Sequence, residues 1–289
     1  MILSGCYTAL VTPFHDGAVC HSTLAKLVES QIAGGVDGIV PVGTTGESPT
    51  LSVAEHEAVI ATVVETVAGR CQVIAGTGGN STAEALELTQ HAKSVGADAT
   101  LQVTPYYNKP SQEGLYRHFA TIADVGLPVV LYNVPGRSAI PIDVATVARL
   151  SAHPHVVAVK EAGGSVDRVS QIRQECDICV LSGDDPLTLP MMVLGAKGVI
   201  SVASNIVPAA VTQLTHLALA GDFIGAAEIH FRYYDLFRTM FIDTNPVPVK
   251  AAAAALGMVE ASYRLPICAM DDQKLQEMLT VMRAVDLPV

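Results

Sequence analysis

The chain has 289 residues, 50% of them hydrophobic and 16% charged, a balance that suits a compact globular protein and excludes a disordered one. A net charge of −11 argues against a general nucleic-acid surface, although a few local cations can still dominate one pocket for small anions. No apolar stretch approaches the roughly 20 residues of a bilayer-crossing helix, so no membrane association is expected.

In chain order the pattern alternates between a short β-branched run, a turn and a stretch of helical period. Strands are expected at Tyr7–Val11, Gly38–Val42, Gln72–Ala75, Ala99–Val103, Pro128–Tyr132, Val156–Lys160, Ile178–Ser182 and Gly198–Val202. Each is followed by a helix, from about Ser22–Ala33, Val53–Val67, Ser81–Val95, Gln112–Asp124, Ile142–Ala152, Ser165–Glu175, Pro186–Leu194 and Pro208–Ala220. Eight such units within about 220 residues predict a (β/α)8 barrel and not an open sheet. The remainder carries no convincing strand and reads as three helices, Phe223–Phe241, Pro246–Leu256 and Asp271–Val285. The chain is therefore divided into a barrel, residues 1–221, carrying the active site, and a helical C-terminal extension, residues 222–289.

The N-terminus Met1-Ile2-Leu3-Ser4-Gly5 lacks the basic start and long apolar run of a signal peptide, so the expected location is the cytoplasm. Its six cysteines are then expected as reduced thiols, and Cys176-Asp177-Ile178-Cys179, with no second pair and no nearby histidine, is read as structural.

The chemistry centres on Val156-Val157-Ala158-Val159-Lys160-Glu161. A lysine standing at the end of a buried strand is unusual unless something uses it, and a neutral amine can attack a carbonyl to form a Schiff base. The ordinary alternative is a lysine whose stem lines the strand while its head reaches water. What decides between them is the company at the C-terminal rim of the barrel, where barrel enzymes build their sites. That rim collects Gly43-Thr44-Thr45-Gly46-Glu47-Ser48, Thr104-Pro105-Tyr106-Tyr107-Asn108, Tyr132-Asn133-Val134-Pro135-Gly136-Arg137, Ser182-Gly183-Asp184-Asp185 and Ser204-Asn205. The threonine loop suits a carboxylate, Tyr132 can pass protons, and the fixed donor fork of Arg137 suits a second carboxylate. Of the chain's lysines only Lys160 has the required position. Phosphate-loop, dinucleotide and zincin signatures are missing, which leaves a metal-independent amine mechanism.

Taken together, Gly43-Thr44-Thr45-Gly46-Glu47, Tyr132-Asn133-Val134-Pro135-Gly136-Arg137, Val159-Lys160-Glu161-Ala162, Leu181-Ser182-Gly183-Asp184 and Asn245-Pro246-Val247-Pro248-Val249-Lys250 resemble the dihydrodipicolinate synthase family of pyruvate-dependent class I aldolases, in order and over essentially the whole chain. The resemblance implies a covalent pyruvate imine on Lys160 with no cofactor and no metal, and condensation with L-aspartate 4-semialdehyde in lysine and diaminopimelate biosynthesis. It implies a hydroxyl relay of Thr44, Tyr107 and Tyr132, with Tyr107 reaching in from a neighbouring subunit of a homotetramer built as a dimer of dimers. By the same resemblance Thr45 holds the pyruvate carboxylate, Arg137 recognises the semialdehyde, and Gly183 and Val202 line the pyruvate site. In feedback-inhibited members L-lysine binds near residues matching Ser48, His56, Asn80, Glu84 and Tyr106. Val53 departs from the histidine of some of them and Pro49 from a common alanine, so inhibition weaker than in the histidine-bearing members is expected. Two alternatives stand beside this reading: an N-acetylneuraminate or sugar-acid lyase of the same superfamily, whose loop resembles G-S-T-G and which lacks the arginine, and a non-catalytic pyruvate or lysine sensor.

Overall fold

The computed structural model describes residues 2–289. Eight parallel strands close into a barrel: β1 (Gly5–Ala9), β2 (Gly38–Val40), β3 (Gln72–Gly76), β4 (Ala99–Val103), β5 (Val129–Asn133), β6 (Val156–Glu161), β7 (Cys179–Ser182) and β8 (Gly198–Ser201). Each strand pairs with its sequence neighbours, and β8 closes on β1. At that seam a Cβ built on Gly198 would lie 1.9 Å from the Gly5 carbonyl oxygen, so only glycine admits the approach.

The barrel helices are α1 (His21–Ala33), α2 (Val53–Val67), α3 (Thr82–Ser94), α4 (Gln112–Ala123), α5 (Val144–Ser151), α6 (Asp167–Glu175), α7 (Thr188–Val193) and α8 (Pro208–Leu219). The extension adds α9 (Phe223–Thr239), α10 (Val247–Ala255) and α11 (Asp272–Ala284). The barrel and the helical C-terminal part are thus as expected. Several starts follow from local chemistry. Ser52 accepts the Glu55 backbone N–H while the Glu55 carboxylate reaches back to the Ser52 N–H, a capping box that opens α2. Ser81, Ser111 and Asp271 cap α3, α4 and α11 in the simpler way. No helix of the described residues is long and apolar enough to cross a membrane.

Boundaries differ where a side chain or a proline takes over a backbone group. β1 stops at Ala9, because the Val11 N–H donates to Asn205 Oδ1 at 3.1 Å and no longer to a ladder. β2 stops before Pro41, which has no N–H, and Val42 is left-handed at φ +50°. Two features were not anticipated. A small hairpin joins Phe14–His15 to Ala18–Val19 around Asp16-Gly17, both at positive φ, the residue pair such a turn favours. A single helical turn, Pro135–Ser138, carries Arg137.

Period-two alternation sorts the strands into two cores. Val40, Ile74, Leu101, Val130, Ala158, Leu181 and Ile200 fill the barrel interior. Val73, Val129, Leu131, Val159, Val180 and Val199 face the helices. The extension does not stand apart, since Leu236, Phe237, Met240, Val249, Met278 and Met282 are buried in the same outer core. It also grips the loop after β2. The Lys250 amine lies 2.5 Å from the Glu47 carboxylate, with both side chains completely buried. Arg264 donates to the carbonyls of Gly17 and Thr50 and pairs with Glu55 at 2.5 Å.

Candidate active site

The strand register sets the site. On β5 and β6, Tyr132 is the partner of Lys160, and on β6 and β7 Lys160 is the partner of Leu181. Paired residues of parallel strands point to the same face. Ala158 is interior, so Lys160, two residues further along β6, also faces the barrel axis at its C-terminal rim, and Gly183 follows the end of β7 beside it. The amine lies 4.3 Å from the Tyr132 ring centroid and is 5% exposed. β6 runs one residue past the expected end, and Glu161, facing outward, is pinned there. It accepts hydrogen bonds from Asn133 Nδ2, the Gly163 N–H and Arg168 Nε, each at 2.8 Å. This anchor holds the strand immediately beside the amine.

Lys160 opens into a cleft of about 480 Å³ that is also lined by Thr45, Tyr132, Arg137, Gly183, Asp184, Val202, Arg238 and Asn245. Five of the sequence-predicted residues therefore share the cleft with Lys160. Thr44 lines an adjoining cavity of about 170 Å³ that shares Tyr132 and Arg137 with the cleft and reaches Ser48 and Tyr106. Tyr107 lies in neither. It is 92% exposed, at φ +74°, and its ring meets solvent and not the cleft of its own chain.

Sequence reasoning missed the residues that hold this rim in shape. Asn245 donates from Nδ2 to Thr45 Oγ1 at 3.0 Å, and its backbone carbonyl accepts from Arg137 Nη2 at 3.0 Å. Its own Oδ1 is buried with no hydrogen-bond partner among the described residues. The signal was present in Asn245-Pro246-Val247-Pro248, but nothing local says that an extension residue reaches the loop after β2. Asp185 is fully buried and accepts the Val202 and Ala203 N–H groups at 3.0 and 2.9 Å, fixing the backbone where Val202 meets the cleft. Burial pushes the Asp185 carboxyl upward, against hydrogen bonds from Ser201, Ala203 and Val202 and the positive charge of Lys160.

Gly183 is required by packing against the stem of Lys160. A Cβ there would come 2.9 Å from Lys160 Cε and 2.7 Å from Ala162 Cβ. Gly183→Ala is expected to displace the Lys160 side chain and lower kcat about 10²-fold. The accompanying loss of stability should be only about 1–3 kcal/mol. Steady-state kinetics set beside urea unfolding separates the two effects; an active variant would mean that the amine tolerates the shift.

The predicted regulatory residues fall in a third cavity, of about 150 Å³, where Ser48, His56, Glu84 and Tyr106 meet Pro49 and Val53. Asn80 is beside it, donating from Nδ2 to the Tyr106 carbonyl at 3.3 Å. His56 lies with Nε2 2.7 Å from the Gly76 carbonyl, so that nitrogen carries the proton, and burial lowers its pKa. Burial, with a smaller contribution from Glu84, raises the Tyr106 phenol.

A nearly buried lysine amine inside a (β/α)8 barrel, with a phenol, a threonine loop and an arginine around it, defines a barrel whose polar groups gather in a cleft at the C-terminal rim. Residues 2–285 match the sequence profile of the dihydrodipicolinate synthetase family. The chain is 49% identical to the 4-hydroxy-tetrahydrodipicolinate synthase of Aquifex aeolicus over all of this chain and 99% of that one. Its fold matches a crystal structure of dihydrodipicolinate synthase from Aquifex aeolicus with a TM-score of 0.98 at 49% identity, covering 99% of each chain. It also matches the Acinetobacter baumannii enzyme complexed with pyruvate, with a TM-score of 0.96 at 41% identity over 99% of this chain and 100% of that one. The Cyanidioschyzon merolae enzyme with lysine bound matches with a TM-score of 0.95 at 40% identity over 98% of each chain. The chain belongs to the dihydrodipicolinate synthetase family.

Proposed function

We infer that the chain is a lyase of lysine biosynthesis, a 4-hydroxy-tetrahydrodipicolinate synthase that condenses pyruvate with L-aspartate 4-semialdehyde. The observation that carries this reading is the register pairing of Tyr132 with Lys160 above one cleft, together with full-length identity near one half to enzymes of that name. The Lys160 amine attacks the pyruvate keto carbon, water leaves, and an imine forms that needs no separate cofactor. A proton leaves the pyruvate methyl to give the enamine, whose carbon attacks the semialdehyde aldehyde. The aldehyde oxygen takes up a proton, and the product's own amine then displaces Lys160 as the ring closes.

Each step needs a proton moved at a fixed place. The Lys160 amine lies over the ring of Tyr132, whose phenol serves the relay, Thr44 lines the adjoining cavity, and Tyr107 completes the relay from a neighbouring copy. The exposure of Tyr107 on its own chain supports that last assignment and an assembly of at least two chains, a dimer of dimers in this reading. Full turnover by a species that sediments as a monomer would remove Tyr107 from the relay. Thr45 and its loop hold the pyruvate carboxylate, Gly183 and Val202 line its seat, and Arg137 receives the semialdehyde at the entrance. The purified chain should consume pyruvate and L-aspartate 4-semialdehyde in equal amounts. Cleavage of N-acetylneuraminate instead, or binding of pyruvate without turnover, would favour the lyase or the sensor.

The cavity of Ser48, His56, Glu84 and Tyr106, with Asn80 alongside, supports feedback by L-lysine. Glu84 offers a carboxylate to an ammonium, and the uncharged His56 adds no opposing charge. Ser48 and Tyr106 line both this cavity and the one that reaches Thr44, so a ligand there touches walls of the relay. Val53 offers no hydrogen bond where a histidine would. Inhibition at millimolar L-lysine, weaker than in histidine-bearing relatives, is expected from initial rates; rates unchanged at that concentration would overturn the assignment.

A further inference from the structure

The Lys160 cleft contains a second guanidinium to which no role has been given. Arg238, in the last turn of α9, lines the cleft together with Lys160, Arg137 and Asp184. Most other arginines are committed to carboxylates: Arg70 to Glu29, Arg149 to Glu113, Arg168 to Glu161, Arg232 to Asp286 and Arg264 to Glu55. Arg137 is tethered to the Asn245 carbonyl. The Arg238 guanidinium has no hydrogen bond or ion pair among the described residues. Its guanidinium carbon stands 5.9 Å from the Tyr234 ring centroid, at the outer limit of a cation–π contact.

An exposed, unpaired arginine is ordinarily only a solvated charge. Its surroundings argue for more here. The molecule as a whole carries −11, which repels an approaching anion at long range. Within the cleft three cationic side chains face a single carboxylate, Asp184, whose pKa is raised by burial and by the neighbouring Asp185. On its other side Arg238 borders a separate recess that holds the carboxylates of Asp235 and Glu277. An anion is therefore disfavoured in that recess and favoured in the cleft.

We propose that Arg238 is a substrate-recognition residue, the outer of two guanidiniums, which captures the pyruvate carboxylate at the mouth of the cleft before it passes Arg137 and reaches the threonine loop. This rests on the pyruvate reading of the cleft. It goes beyond that reading by placing the first carboxylate contact on the helical extension and not on the barrel.

The test is kcat/KM for pyruvate as a function of added sodium chloride in the parent enzyme, Arg238→Gln and Arg238→Lys. Arg238→Gln should raise KM for pyruvate about fivefold, leave kcat within about twofold, and flatten the decline of kcat/KM with salt. Arg238→Lys should restore most of both effects, because capture at a cleft mouth needs a charge more than a bidentate fork. A KM within about twofold of the parent's with an unchanged salt slope would overturn the proposal. So would equal losses in Arg238→Lys and Arg238→Gln, which would mark a packing role. Failure of the pyruvate reading would look different: the parent enzyme would neither turn over nor trap pyruvate, and the proposal would fall with it.

Discussion

Replacing Lys160 by alanine or arginine is expected to abolish turnover, with kcat reduced at least about 10³-fold. Neither residue can form the imine. Alanine has no nitrogen, and a guanidinium stays protonated at any working pH. Arginine is the sharper variant, because it keeps a positive charge in the cleft and so separates covalent chemistry from electrostatics. Reduction with borohydride in the presence of pyruvate, followed by mass mapping, should place the adduct on Lys160 in the parent enzyme and nowhere in either variant. The other lysines are poor candidates for geometric reasons. Lys197 precedes β8 and so lies at the far end of the barrel, and Lys250 is fully buried against Glu47. An adduct on either would mean that the amine of β6 is not the nucleophile.

The second large effect concerns that buried pair. Lys250→Met leaves the Glu47 carboxylate completely buried with no counter-ion, and one of its oxygens, Oε2, already lacks a partner among the described residues. Removing one member of such a pair costs about 3–5 kcal/mol. Burial lowers the Lys250 pKa while Glu47 raises it, so the charge persists only through its partner. The double variant Glu47→Gln with Lys250→Met should recover much of the lost stability, since it removes both charges together. Urea unfolding of the two singles and the double measures this as a double-mutant cycle. Activity is expected to recover less than stability. Glu47 is left-handed at φ +57° and sits two residues from Thr45, so the ion pair also sets the threonine loop on the wall of the Lys160 cleft. Equal stability in Lys250→Met and the parent would show that the carboxylate is protonated or hydrated and not held by the amine.

Sequence and structure divide between them along a physical line. Alternation of β-branched runs with helical periods reflects a choice made at each residue, between a pleat of period two and a turn of 3.6. The eight-unit barrel was therefore legible, and α2 and β4 fall on the expected residues. Lys160 stood out because a charge at the end of an apolar run contradicts its surroundings, and such contradictions mark functional positions. The small hairpin at Asp16-Gly17 could have been found from its turn residues alone.

What one chain position cannot state is which distant residue will touch it. The grip of Asn245 on Thr45 spans 200 residues, and that of Lys250 on Glu47 spans 203. Likewise Asp185 reaches across to the N–H groups of Val202 and Ala203, and Arg238 arrives at the cleft from a helix outside the barrel. These contacts follow from closure of the sheet and from the return of the extension over its rim, and they leave no local period or composition behind. The sequence by itself determined the barrel, the lysine at the end of β6 and the residues of its rim, because each is written in local pattern. Only the tertiary structure decided how that rim is clamped, which cations stay free, and that Tyr107 lies exposed outside the cleft of its own chain.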